Sequence, residues 1–169
     1  TPNEFNEVKF LEEYKKFNFY DFQGSTWAPT LVHKSIWERV GGFSEEFFPG
    51  SGSDPDFNMK LWKIGVRIFK GLNDFKVYHF GSVVLRKKIN KIIKGNKYGS
   101  IGSKIFLLKW GISIKFFKKF YLLSDTEYKA PLREPNKKLL YYVKLFICKL
   151  NYIYLRIFYS KLKIKSNSQ

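Results

Sequence analysis

The chain holds one cysteine, Cys148, among 169 residues. That excludes an internal disulfide and a cysteine-ligated zinc cluster, and it suits a reducing compartment, so the cytosol is the expected location. No basic-then-apolar leader follows Thr1-Pro2-Asn3-Glu4, and no methionine opens the chain. A targeting segment is therefore not expected, whereas further sequence upstream of Thr1 is. Acids are scarce beyond the first third and absent from Lys137 to Lys165. An internal repeat is also lacking. What the chain does have is apolar and aromatic content, 44% and 20%, enough to fill a core and too much for a disordered segment. Its length accommodates one compact domain with or without an appendage and excludes two full catalytic domains.

Charge is unevenly placed. Residues 1–56 hold 10 acids and 5 bases, net −5, while residues 57–169 hold 4 acids and 26 bases, net +22, giving +17 for the whole. Such an excess attracts polyanions or anionic lipid. The lysines accompany abundant Asn, Ile, Phe and Tyr, a pattern that biased codon usage also produces, so charge alone does not identify a partner.

Periodicity organises the chain. Val8, Phe10, Leu11, Tyr14 and Phe17 follow helical spacing, which predicts a helix over Asn6 to Phe17 with one buried face. Gly24 breaks the chain, and Trp27 to His33 reads as a short extended strand interrupted by Pro29. Ser35 and Glu38 are spaced as a capping box for a helix of about two turns that Gly41 ends in a left-handed cap. The clearest helix start is Ser53-Asp54-Pro55-Asp56, with Pro55 tolerated in a first turn and Gly65 at the stop. Val66 to Phe69 and Lys76 to Phe80 are β-rich runs around Gly71 and Asn73-Asp74, which predicts two strands. A basic stretch from Arg86 through Lys97 precedes helices over Lys104 to Trp110 and Ile114 to Leu123, divided by Gly111. Pro131 and Pro135 mark a linker before a last helical segment.

Two features carry candidate chemistry. Asp54 and Asp56 follow the flexible Pro49-Gly50-Ser51-Gly52-Ser53 loop, and carboxylates in that setting suit a general base that must reach a solvent-accessible proton. Acids in a first helical turn are also favoured by the helix dipole, by about 0.3 to 1 kcal/mol, so a structural role competes. Asp-x-Asp spacing suits a divalent cation as well, although it is common. His79 ends a β-rich run, where an imidazole serves as metal ligand, proton carrier or hydrogen-bonded structural group.

The segments Val40-Gly41-Gly42-Phe43-Ser44-Glu45-Glu46-Phe47, Ser53-Asp54-Pro55-Asp56-Phe57-Asn58-Met59-Lys60-Leu61-Trp62-Lys63-Ile64-Gly65-Val66, and Val77-Tyr78-His79-Phe80-Gly81-Ser82 together resemble the carboxyl-terminal half of family 2 glycosyltransferases of the GT-A fold. The resemblance covers Trp27 to Arg86, about sixty residues. Ser44 stands where the family usually has Asp, and Ser53 where it usually has Glu. The fold class implied is α/β, an incomplete GT-A, Rossmann-like acceptor-side half over residues 1–99 with a helical basic extension over residues 100–169. The activity implied is inverting transfer of a sugar from a nucleotide-sugar donor to a glycan or lipid-linked acceptor, as in polysaccharide biosynthesis, with this chain inactive alone.

Carried over by motif position, Asp54 would be the catalytic base, and Asp56 and Ser53 would hold the helix start and its loop. His79 would face the metal, with Arg86 and Lys87 on the diphosphate and Trp27 and Phe48 toward the acceptor. The cofactor implied is Mn or Mg, held mainly by an amino-terminal nucleotide-binding half.

The last segment places Lys138, Lys149, Arg156 and Lys163 on one stripe of a helix whose remaining faces are largely apolar. Lys144, Lys149 and Arg156 interrupt the run of about 20 apolar residues that a span requires. A helix lying on an anionic membrane surface is one expectation, giving peripheral attachment to the inner face of the membrane; packing on its own domain is the other. A nucleic-acid-binding module is a rival function, favoured by the +22 and by Tyr78, Phe80 and Tyr98 among the bases. It lacks a recognised motif, and the acidic first third fits it poorly. A noncatalytic membrane adaptor is a second rival.

Overall fold

A computed structural model describes residues 4–17, 19–24, 29–48, 50–75, 77–78 and 98–159. Within them the protein is mixed α/β and dominated by helices: α1 (Glu7–Glu13), α2 (Lys34–Val40), α3 (Ser53–Lys63), α4 (Tyr98–Trp110), α5 (Ile114–Phe120) and α6 (Leu139–Tyr159). Three two-residue strands, β1 (Phe22–Gln23), β2 (Lys70–Gly71) and β3 (Thr126–Glu127), form an antiparallel sheet in the order β2-β1-β3. Phe22 pairs with Gly71 on one side and Glu127 on the other. The sheet thus ties together three segments far apart in sequence. Asp21 reinforces it: its carboxylate accepts from Lys70 at 2.7 Å and from the Asn73 N–H at 2.8 Å. Those hydrogen bonds, the one from Lys70 foremost, hold the Asp21 carboxyl below the ordinary aspartate range.

The two expected β runs behave differently. Val66 to Phe69 is not a strand, because its backbone groups bond to loops: the Phe69 carbonyl accepts from Gly24 at 2.6 Å and the Arg67 carbonyl from Leu132 at 2.8 Å. The ladder begins one residue later, at Lys70. Of the run Lys76 to Phe80, only Val77 and Tyr78 are described and neither is in a strand. The expected strand over Trp27 to His33 is absent from its described part: Pro29 has no N–H to donate, and Leu31 is 99% exposed.

Helix ends follow local chemistry, with one correction. The capping box read from Ser35 and Glu38 does not form. His33 is the N-cap of α2, its Nδ1 accepting from the Ser35 N–H at 3.3 Å, while Glu38 pairs with Lys34 at 3.7 Å. Gly41 does close α2 in the left-handed conformation, φ 69°. Helix α1 carries no buried residue, contrary to the buried face expected of it, because Val8 and Leu11 point to solvent. Its Phe10 instead meets Tyr78 edge-on at 5.7 Å.

The core gathers Phe47, Phe57, Trp62, Phe106, Phe117 and Leu122 with smaller neighbours from α3 to α6. It runs without interruption across residue 100, which lies inside α4. Trp62 meets Tyr121 edge-on at 5.3 Å and packs near Phe69 at 6.2 Å, so α3 is clamped between the chain leading to β2 and the end of α5. No helix among the described residues is long and apolar enough to cross a membrane.

Candidate functional site around the first turn of α3

Helix α3 starts from Gly52, which adopts the left-handed conformation at φ 89° and provides no side-chain cap. Glycine is required there twice over. Its backbone angle strains other residues, and a Cβ would stand 3.1 Å from both the Gly102 carbonyl and the Phe47 ring. Ser53 Oγ donates to the Gly50 carbonyl at 2.7 Å, which closes the loop onto the helix. Pro55 then falls inside the first turn, where its missing N–H costs no helical hydrogen bond.

Asp56 is the centre of the polar interior. Its side chain is 0% exposed, and such a carboxylate is stable only when paired and hydrogen-bonded. Both oxygens are engaged. Oδ2 accepts from Ser44 Oγ at 2.7 Å, and Oδ1 accepts from Trp110 Nε1 at 2.7 Å and Lys109 Nζ at 2.9 Å. Lys60 Nζ lies 4.0 Å from Oδ2 and donates to the Gly42 carbonyl at 2.9 Å. Lys109 also reaches Glu46 at 2.7 Å and Ser44 Oγ at 3.0 Å. Two carboxylates and two ammonium groups are therefore balanced across this cluster. Burial of Lys109 opposes its charge, but hydrogen bonds to Glu46 and Asp56 outweigh that penalty and hold its pKa above the ordinary lysine value.

The cluster fixes three chain segments at once: the loop through Ser44 and Glu46, the start of α3, and the end of α4. Sequence reading missed Ser44, Glu46, Lys60, Lys109 and Trp110 as its members. Asp56 and Lys60 stand at helical i, i+4 spacing, which was a usable signal. Lys109 and Trp110 lie more than fifty residues from Asp56, and no local pattern announces them.

Of the residues expected to form the site, Ser53, Asp54 and Asp56 come together on this turn. Asp54 is half-buried, in contrast to the sealed Asp56 two positions later. Phe48 follows the 3₁₀ turn Glu45–Phe47 on the approach to the same loop and is 87% exposed, available as an aromatic face. Trp27, His79, Arg86 and Lys87 lie outside the described residues.

Among the described residues, no group of three or more His, Cys, Asp or Glu side chains is arranged to hold a metal, and the lone pairs of Asp56 are already committed to Ser44, Trp110 and Lys109. The arrangement supplies a rigid, water-excluded anchor at Asp56 beside the half-buried Asp54. Comparison of the chain with protein-family models, curated proteins and solved structures finds no match.

Proposed function

We propose that this chain is the acceptor-side half of an inverting GT-A glycosyltransferase, with Asp54 as its general base. The observation that supports the reading is the unequal setting of two carboxylates in one helical turn. Asp56 is sealed and charge-compensated, and it anchors the turn. Asp54, on the same rigid backbone, is only half-buried, beside a glycine-rich loop. A positioned carboxylate on a fixed scaffold is what proton abstraction requires, because a small misplacement of the base costs orders of magnitude in rate.

In this reading Asp54 accepts the proton of an acceptor hydroxyl as the hydroxyl oxygen bonds to the anomeric carbon. The bond from that carbon to the nucleoside diphosphate breaks on the opposite face, so configuration inverts. Arg86 and Lys87 would take up the developing charge of the diphosphate. Phe48 and Trp27 would pack on sugar rings. Mn or Mg enters only through His79 and the nucleotide-binding half that such an enzyme needs, which is not among the described elements.

The test is transfer by the complete gene product from nucleotide sugars to oligosaccharide and lipid-linked acceptors, with the product anomer read by NMR. Donor-dependent transfer with inversion supports the proposal. A retained anomer, or no nucleoside diphosphate released from any donor in the presence of acceptor, overturns it.

A further inference from the structure

We infer that α6 is a docking surface for an anionic lipid bilayer, an inference independent of the catalytic reading. The helix is 21 residues long. At about 3.6 residues per turn, Tyr141, Leu145, Cys148, Tyr152 and Leu155 share one side, and this is the side buried against the core. An ordinary surface helix would be polar on its opposite side. This one is apolar there too: Leu139, Val143, Phe146, Leu150, Ile153 and Ile157 are all exposed, Phe146 at 61%. The exposed apolar sector covers about half the circumference.

Polar residues are confined to the two borders between these sides. Lys138, Lys149 and Arg156 occupy one border, and Lys144 with Asn151 the other. From Pro135 to Gln169 the sequence has no acid. An apolar face flanked on both borders by cations is the arrangement that sinks roughly 5–10 Å into a headgroup region while basic side chains reach lipid phosphates. Charge selects this occupant over a second copy of the chain, since two such helices would bring cationic borders together on molecules that each carry +17. A bilayer takes up the apolar face and supplies the missing anions in one surface.

The test is co-sedimentation of the full chain with vesicles of phosphatidylcholine alone and of equimolar phosphatidylcholine and phosphatidylglycerol. Binding to the mixed vesicles, with little to the neutral ones and weakening at high salt, is the expected result. Phe146→Ser with Leu150→Ser alters exposed positions, so helical circular dichroism should persist while partitioning falls about 100-fold. Lys144→Gln with Lys149→Gln should weaken binding to mixed vesicles about 30-fold, and it keeps the question decidable if the first pair disturbs folding. Equal binding to both vesicle types, no binding to either, or unchanged binding by the charge variant overturns the inference. So does a lipid-free dimer that the Phe146 and Leu150 substitutions make monomeric, since the face then belongs to a second copy.

Discussion

Asp56 and Lys109 show how a carboxylate is kept in a small core by a lysine that reaches it from the surface. Removing Lys109 leaves the sealed Asp56 carboxylate less fully compensated, with Lys60 still 4.0 Å away, and such a loss costs more than the pair contributes. Lys109→Met should therefore lower stability by about 2 kcal/mol in urea unfolding near neutral pH, less than for a fully buried pair because the lysine is partly solvated. The pH dependence has a definite sign. A lysine whose folded pKa is raised stabilises the fold fully below its unfolded value and loses that contribution as pH rises through the folded value. The stability gap between parent and Lys109→Met should thus narrow at alkaline pH; a gap that stays constant or widens contradicts the assigned ion pair. Only half of this was legible in the sequence. Asp56 announces itself as an acid at a helix start, but its partners on α4 are brought to it by tertiary packing, which leaves no local trace. The His33 cap was missed for a different reason. Serine is a far commoner N-cap, and Ser35 stood at capping-box distance from Glu38, so the spacing favoured the wrong residue.

Among the elements, α4 packs closely against the loop before α3. A Cβ at Gly102 would overlap the Ser51 carbonyl, and Ser51 precedes the Gly52 cap. Gly102→Ala places one methyl where none fits, so overpacking should cost about 1–3 kcal/mol even though alanine is the better helix former. Thermal unfolding reads the effect, and a variant as stable as the parent would show that α4 does not lie so close. Helices were the more legible elements. Pro55, Gly65, Gly41 and Gly111 punctuate the chain where helices begin or end, whereas Val66 to Phe69 has β composition but spends its backbone hydrogen bonds on Gly24 and Leu132. Composition favoured a strand there; the hydrogen-bond partners were decided elsewhere in the chain.

Across the whole molecule, the acidic first third and basic remainder are joined rather than separated. Glu46 and Asp56, from the acidic part, meet Lys109 from the basic part, and Asp21 meets Lys70. On α6, by contrast, Lys144, Lys149 and Arg156 share the helix with no acidic residue. On the proposed reading, two carboxylates of one turn divide architecture from chemistry. The most direct measurement of that division is turnover and melting temperature of Asp54→Asn and Asp56→Asn, side by side in the complete gene product. The account predicts that Asp54→Asn melts with the parent and loses about 10² to 10⁴ in turnover, while Asp56→Asn melts well below it. Turnover of Asp54→Asn within a few-fold of the parent, with the fold intact, would contradict it.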